Sequence, residues 1–152
     1  MRYAVLLAAL IGQAAYAQGD TPFGKPANPS KAQRTIRIEM TDEMRYSPAE
    51  ITVKRGETVR FQVVNKGKVE HELVLGTMAG LKKHAQQMKV QAAAPAHKDH
   101  AAHEMPQPYE VEVAPGRTGV LGWQFTKTGV FYYGCLIPGH FEAGMVGKVT
   151  VK

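Results

Sequence analysis

The chain has 152 residues, 19 lysines and arginines against 13 aspartates and glutamates, a formal charge of +6, and one cysteine. The basic residues are scattered, with only the pairs Lys54-Arg55 and Lys82-Lys83 adjacent, so the charge describes a solvated surface and no nucleic-acid-reading stripe. A lone cysteine excludes an intrachain disulfide framework.

Taken in chain order, residues 1–17 read as a secretory signal. Arg2 supplies the positive start, Ala4 to Ile11 an apolar run, and Ala15-Tyr16-Ala17 a small-residue cleavage pattern. The run is too short to span a bilayer, and no later segment comes close to the roughly 20 apolar residues required. Cleavage leaves about 135 residues from Gln18 onward, soluble in an oxidising compartment. That is one domain's worth of chain, able to bury roughly two thirds of its unfolded surface without disulfide or metal.

Residues 18–33 contain three prolines and few large apolar groups and read as a flexible leader. Period-two patterns then begin. Ile36 and Ile38 alternate with charged Arg37 and Glu39, Ile51 and Val53 precede an Arg55-Gly56 turn signal, and Val59, Phe61 and Val63 alternate with Arg60 and Gln62. Val111 and Val113, then Leu121, Trp123 and Phe125, then Phe131, Tyr133 and Cys135, and finally Val149 and Val151 repeat the pattern. Short alternating runs separated by Gly and Pro turns predict an all-β sandwich or barrel over residues 34–152. The apolar parity of each run should face the core, because successive strand side chains point to opposite faces.

Residues 77–108 break this pattern and read as an insertion between two strands. Gly80 to Ala94 is rich in Ala, Lys, Gln and Met and predicts a helix ended by Pro95. The following segment, Ala96 to Met105, is polar and flanked by Pro95, Pro106 and Pro108. An insertion this long is usually functional or disordered.

The most specific motif is Cys135-Leu-Ile-Pro-Gly-His140-Phe-Glu-Ala-Gly-Met145. A thiolate, an imidazole and a thioether on one short loop form a soft ligand set, and two His, one Cys and a weak axial Met suit copper. The second imidazole must come from upstream, and His71, at the head of a strand-like run, is the candidate. Zinc also takes Cys and His, but Met is not among its usual ligands. Cys135 as an inert buried thiol, or Met145 as a core residue, are the ordinary alternatives. No nucleophile–base pairing or open metal position is evident, so an enzyme is not expected. A second soft-donor set, His97, His100, His103 and Met105, occurs in the insertion. Three His at i, i+3 and i+6 would share one helical face and offer a possible secondary copper site.

On these residues the chain resembles the cupredoxins, the type 1 copper proteins that include plastocyanin, azurin and rusticyanin. His71 matches the family's isolated upstream His, and Cys135, His140 and Met145 match its ligand loop. Tyr132-Tyr133-Gly134 is similar to the strand leading into the Cys, and Gly144-Met145-Val-Gly-Lys-Val-Thr-Val to the final strand. The resemblance implies a Greek-key β-sandwich and a copper ion cycling between Cu(II) and Cu(I). It also implies an apolar rim of Leu136, Ile137, Pro138 and Phe141 around the exposed edge of His140. Within the family the chain is most similar to small periplasmic cupredoxins associated with copper tolerance. A monomer is expected, with a redox or copper-transfer protein as partner; the alternative is a soluble electron carrier. One departure concerns Glu72, where plastocyanin and azurin carry Asn beside the upstream His. Residues next to the ligands orient them and tune the metal, so Glu72 is expected to alter the site.

Overall fold

The computed structural model describes residues 21–93 and 107–152. The signal segment 1–17, the start of the leader, and His97, His100, His103 and Met105 lie outside the described residues.

Among the described residues, ten strands form two five-stranded sheets. They are β1 (Lys25–Pro26), β2 (Arg34–Thr41), β3 (Arg45–Ser47), β4 (Glu50–Val53), β5 (Thr58–Asn65), β6 (His71–Gly76), β7 (Glu110–Val113), β8 (Thr118–Gln124), β9 (Gly129–Gly134) and β10 (Val146–Val151). One sheet runs β1-β8-β5-β2-β3 and the other β4-β10-β9-β6-β7. The pairs β2–β5 and β4–β10 are parallel and the others antiparallel. This is the two-sheet sandwich that the alternation predicts. Val59, Phe61, Val63, Leu121, Trp123, Phe125, Phe131, Tyr133, Val149 and Val151 all turn into the space between the sheets.

One helix, α1 (Met78–Ala93), follows β6 within the predicted insertion, starting two residues earlier than Gly80. Only Leu81 and Ala85 of α1 are buried, and they pack against Val74 and Leu136 on the outer face of the second sheet. No helix of the described residues is long and apolar enough to cross a membrane.

The flexible leader expected over 18–33 needs correction where the structure describes it. Phe23 is buried, its ring stacked on Trp123 at 5.3 Å, and Trp123 Nε1 donates to the Phe23 carbonyl. Strand β1 then pairs with β8, and Pro29–Lys31 form a 3-10 turn capped by Asn28. One aromatic side chain thus anchors a stretch whose composition otherwise describes a loop.

The sandwich positions the site through neighbouring strands. Val74 of β6 lies opposite Gly134 of β9. The antiparallel register therefore carries His71 and Glu72 alongside the residues just beyond β9, where Cys135 begins the ligand loop. Met145, at the loop's far end, leads directly into β10, the other neighbour of β9.

Candidate metal centre

The ligand loop is a closed turn. Cys135 N–H donates to the Met145 carbonyl, Met145 N–H to the His140 carbonyl and His140 N–H to the Ile137 carbonyl. Gly139 and Gly144 both hold positive φ, at 92° and 91°, which a residue with a Cβ rarely adopts. Gly147 sits beyond the loop, within β10. A Cβ there would overlap the ring of Tyr133, so this glycine serves a close approach between strands.

The structure brings three of the predicted residues together. One ligand-capable atom each from His71, Cys135 and His140 lies within 4.8 Å of the others. The Sγ of Cys135 is 3.3 Å from Nδ1 of His140. Cys135 and His71 are fully buried and His140 is half-buried. Met145 is fully buried at the end of the same loop, and its main chain is bonded to both Cys135 and His140.

His71 carries the most telling atom. Its Nε2 lies 3.1 Å from Oδ1 of Asp42, while its Nδ1 is buried with no hydrogen-bond partner. A buried polar atom without a partner is costly. Here it accompanies a thiol and a second imidazole, and such an atom is satisfied by a metal. Thiolate and imidazole donors suit copper, so the residues fit that ion.

Glu72 is buried beside the site. Its Oε1 accepts a hydrogen bond from Leu136 N–H at 2.6 Å, tying β6 to the ligand loop, and its carbonyl accepts from the Tyr46 hydroxyl at 2.6 Å. Burial pushes its carboxyl up to about 7 against the Leu136 bond, with Glu110, Glu112 and Glu70 adding repulsion. The Cys135 thiol is pushed up to about 12, chiefly by burial, although the backbone N–H groups of Glu72 and Ile137 favour the thiolate. Burial, then repulsion from His71, holds His140 below its ordinary value.

The apolar rim is narrower than expected. Pro138 is exposed and Ile137 partly so, but Leu136 is buried beneath α1, with Phe141 packed against it.

Three residues that sequence reasoning missed support the site. Asp42 accepts from His71 and from the backbone N–H groups of Lys68 and Val69, and the Lys68 bond leads in holding its carboxyl below the usual range. Arg45 Nη1 donates to the Ala143 carbonyl at 2.9 Å, bracing the loop between His140 and Met145. Tyr46 packs edge-on against Tyr133, with ring centres 5.0 Å apart. The only sequence signal was a charged turn, Asp42-Glu43-Met44-Arg45, directly before a lone aromatic.

Comparisons with known proteins agree with this geometry. The model of copper-binding proteins of the plastocyanin/azurin family matches residues 32–152. A copper-resistant cuproprotein CopI from Rubrivivax gelatinosus is 56% identical over 133 residues, covering 88% of this chain and 75% of the relative. CopI from Pseudomonas aeruginosa is 37% identical, over 97% of this chain and 93% of its own. Among solved structures, reduced auracyanin from Roseiflexus castenholzii is similar in fold, with a TM-score of 0.62 and 22% identity over 80% of this chain and 98% of its own. With its family model spanning both sheets and the His–Cys–His cluster, the chain belongs to the plastocyanin/azurin family of copper-binding proteins.

Proposed function

We propose that this protein binds one copper ion through His71, Cys135 and His140, with Met145 as a weak fourth ligand, and acts in the periplasm in copper resistance. The observation that carries the ligand set is the buried, unpartnered Nδ1 of His71 beside the Cys135 thiol and Nδ1 of His140. Support for the role comes from two CopI relatives, each named a copper-resistant cuproprotein.

A copper ion held by these soft donors would supply one-electron exchange between Cu(II) and Cu(I). Cys135 supplies the thiolate after losing its proton, and the two imidazoles serve both oxidation states. Met145, whose backbone is bonded to Cys135 and His140, would offer its thioether from a fixed frame. The sandwich limits rearrangement, so the residues bind and exchange charge without performing bond-making chemistry. His97, His100, His103 and Met105 offer a weaker second set of imidazole and thioether donors, which would add copper capacity.

Metal analysis and visible absorption of the copper-loaded protein test the main site. One equivalent of copper with an intense thiolate-to-copper band is expected, and a Cys135→Ser protein that kept the band would refute it. Deleting the gene should lower copper tolerance, and restoring it with His97, His100 and His103 changed to Ala should restore tolerance only in part. A soluble electron carrier is the second reading, favoured by the half-buried His140 beside exposed Pro138. Unchanged tolerance in the deletion strain would favour it.

A further inference from the structure

The turn between β2 and β3 reaches the site from the opposite sheet. Residues 41–44 close through Met44 N–H donating to the Thr41 carbonyl, and Met44 takes a positive φ of 58°. This turn brings Asp42 against loop 66–70, just ahead of His71. Oδ2 of Asp42 accepts from Lys68 N–H at 2.7 Å, and Oδ1 faces His71 Nε2 at 3.1 Å. The carboxylate is therefore held by backbone on one side while it meets the ring on the other. It remains about 39% exposed, so it keeps its charge without a large desolvation cost.

Loop 66–70 is shaped to admit it. Asn65 Oδ1 accepts from Gly67 N–H, and its Nδ2 donates to the carbonyls of Val69 and Val113. Gly67 is not among the glycines with positive φ, so a left-handed backbone does not explain a glycine there. A Cβ at Gly67 would overlap the carboxylate of Asp42. The missing side chain is the space that Asp42 occupies.

An ionised carboxylate only accepts hydrogen bonds. The ring nitrogen facing it must carry hydrogen, which leaves Nδ1 bare in the neutral imidazole. Nδ1 is the atom that has no partner and joins the Cys135–His140 cluster. We propose that Asp42 is a positioning residue of the metal centre. It holds His71 in the Nε2–H tautomer with Nδ1 aimed at the site, and Gly67 is kept bare to let it do so. This rests on the reading of His71 as a copper ligand.

The test has a metal-free arm and a copper arm, both on the whole chain at pH 8. In the metal-free protein, nitrogen-15 NMR should report the Nε2–H tautomer for His71. Asp42→Ala should give a mixture of tautomers. Gly67→Ala should do the same, although the carboxylate is still present. Asp42→Asn should also give a mixture, because its amide must set an NH2 donor against either the Lys68 N–H or the His71 ring nitrogen.

In the copper arm, Asp42→Ala, Asp42→Asn and Gly67→Ala should bind copper about 10- to 100-fold more weakly, with a shifted thiolate-to-copper band. If Asp42→Ala does not fold, Gly67→Ala alone decides. Wild-type tautomer and affinity in Asp42→Ala or Gly67→Ala would overturn the proposal. His71→Ala separates the two levels. If it binds copper as wild type does, the ligand reading fails; if it loses copper while the Asp42 and Gly67 variants do not, only the role of Asp42 fails.

Discussion

Glu72 and Leu136 are joined by a buried hydrogen bond of 2.6 Å from the Leu136 N–H to the Glu72 carboxyl. This bond ties the strand that begins with His71 to the loop that begins with Cys135. It does so with an acid whose pKa is raised to about 7, chiefly by burial. A buried carboxyl is more easily neutral, and the neutral form can still accept the bond through its carbonyl oxygen.

The raised pKa fixes the sign of a pH effect in the metal-free protein. Glu72's contribution is fully present below its unfolded value near 4.5 and is lost as pH rises through about 7. The difference is on the order of 3 kcal/mol. Metal-free wild type should therefore lose stability relative to Glu72→Gln as pH rises from 5 to 8. His140, held low, acts in the opposite direction in both proteins and cancels in the comparison. Urea unfolding of both proteins at the two pH values measures this. Parallel stability curves would mean that Glu72 is already ionised without penalty.

The Cys135 thiol, pushed up to about 12, remains protonated in the metal-free protein at neutral pH. A bound thiolate must give up that proton, so loading should be coupled to proton release. At pH 8, above the ranges of His140 and Glu72, copper addition to wild type should release about one proton per ion bound at the main site. A dye indicator in weakly buffered solution reads this directly. Cys135→Ser should release none from the position, and equal release in both proteins would refute thiolate ligation.

Helix α1 reaches the site by packing more than by charge. Leu81 is 2% exposed and meets Val74 and Leu136, and Leu136 follows Cys135 of the candidate site. Leu81→Ala should destabilise the protein by about 3 kcal/mol, as large-to-small core changes do. The ion pair between Lys89 and Glu142, 3.4 Å apart and well exposed, also joins α1 to the loop. Lys89→Ala should change stability far less than Leu81→Ala, because an exposed ion pair is screened by solvent. Thermal unfolding of the two variants ranks the contributions, and a larger loss for Lys89→Ala would reverse the argument.

The parts of this protein legible in its sequence are those written as local pattern. Val59, Phe61 and Val63 record the buried face of β5 in their spacing, as Phe131, Tyr133 and Cys135 do for β9 and the loop beyond it. The cluster of His71, Cys135 and His140 was legible because the loop spacing is specific and the missing imidazole had one good source. Asp42 was not legible, because an aspartate in a polar turn needs no further explanation. Its role arises only when β2 and β5 pair in parallel and bring that turn against loop 66–70. Leu136 was misplaced for a related reason. Nothing local says that α1, with just two buried residues, folds back over it.

Gly147 shows the same limit at a single position and leads to the last prediction. Its neighbours Gly144 and Met145 suggest a loop, yet it pairs opposite Tyr133 within the β9–β10 ladder. The Tyr133 ring lies over the Gly147 Cα, where a Cβ would overlap it. That ring is fully buried, packed against Tyr46, and its hydroxyl donates to the Pro48 carbonyl at 2.6 Å. It is fixed at both ends and has no space to yield. Gly147→Ala should therefore cost about 3 kcal/mol, at the upper end for overpacking. Ala has the higher intrinsic preference for a strand, so local propensity predicts the opposite sign. The double variant Gly147→Ala with Tyr133→Leu removes the overlapping ring and should cost less than the two single changes added together. Denaturant unfolding of the four proteins completes the cycle, and strict additivity would show that the Tyr133 ring is not what keeps this position glycine.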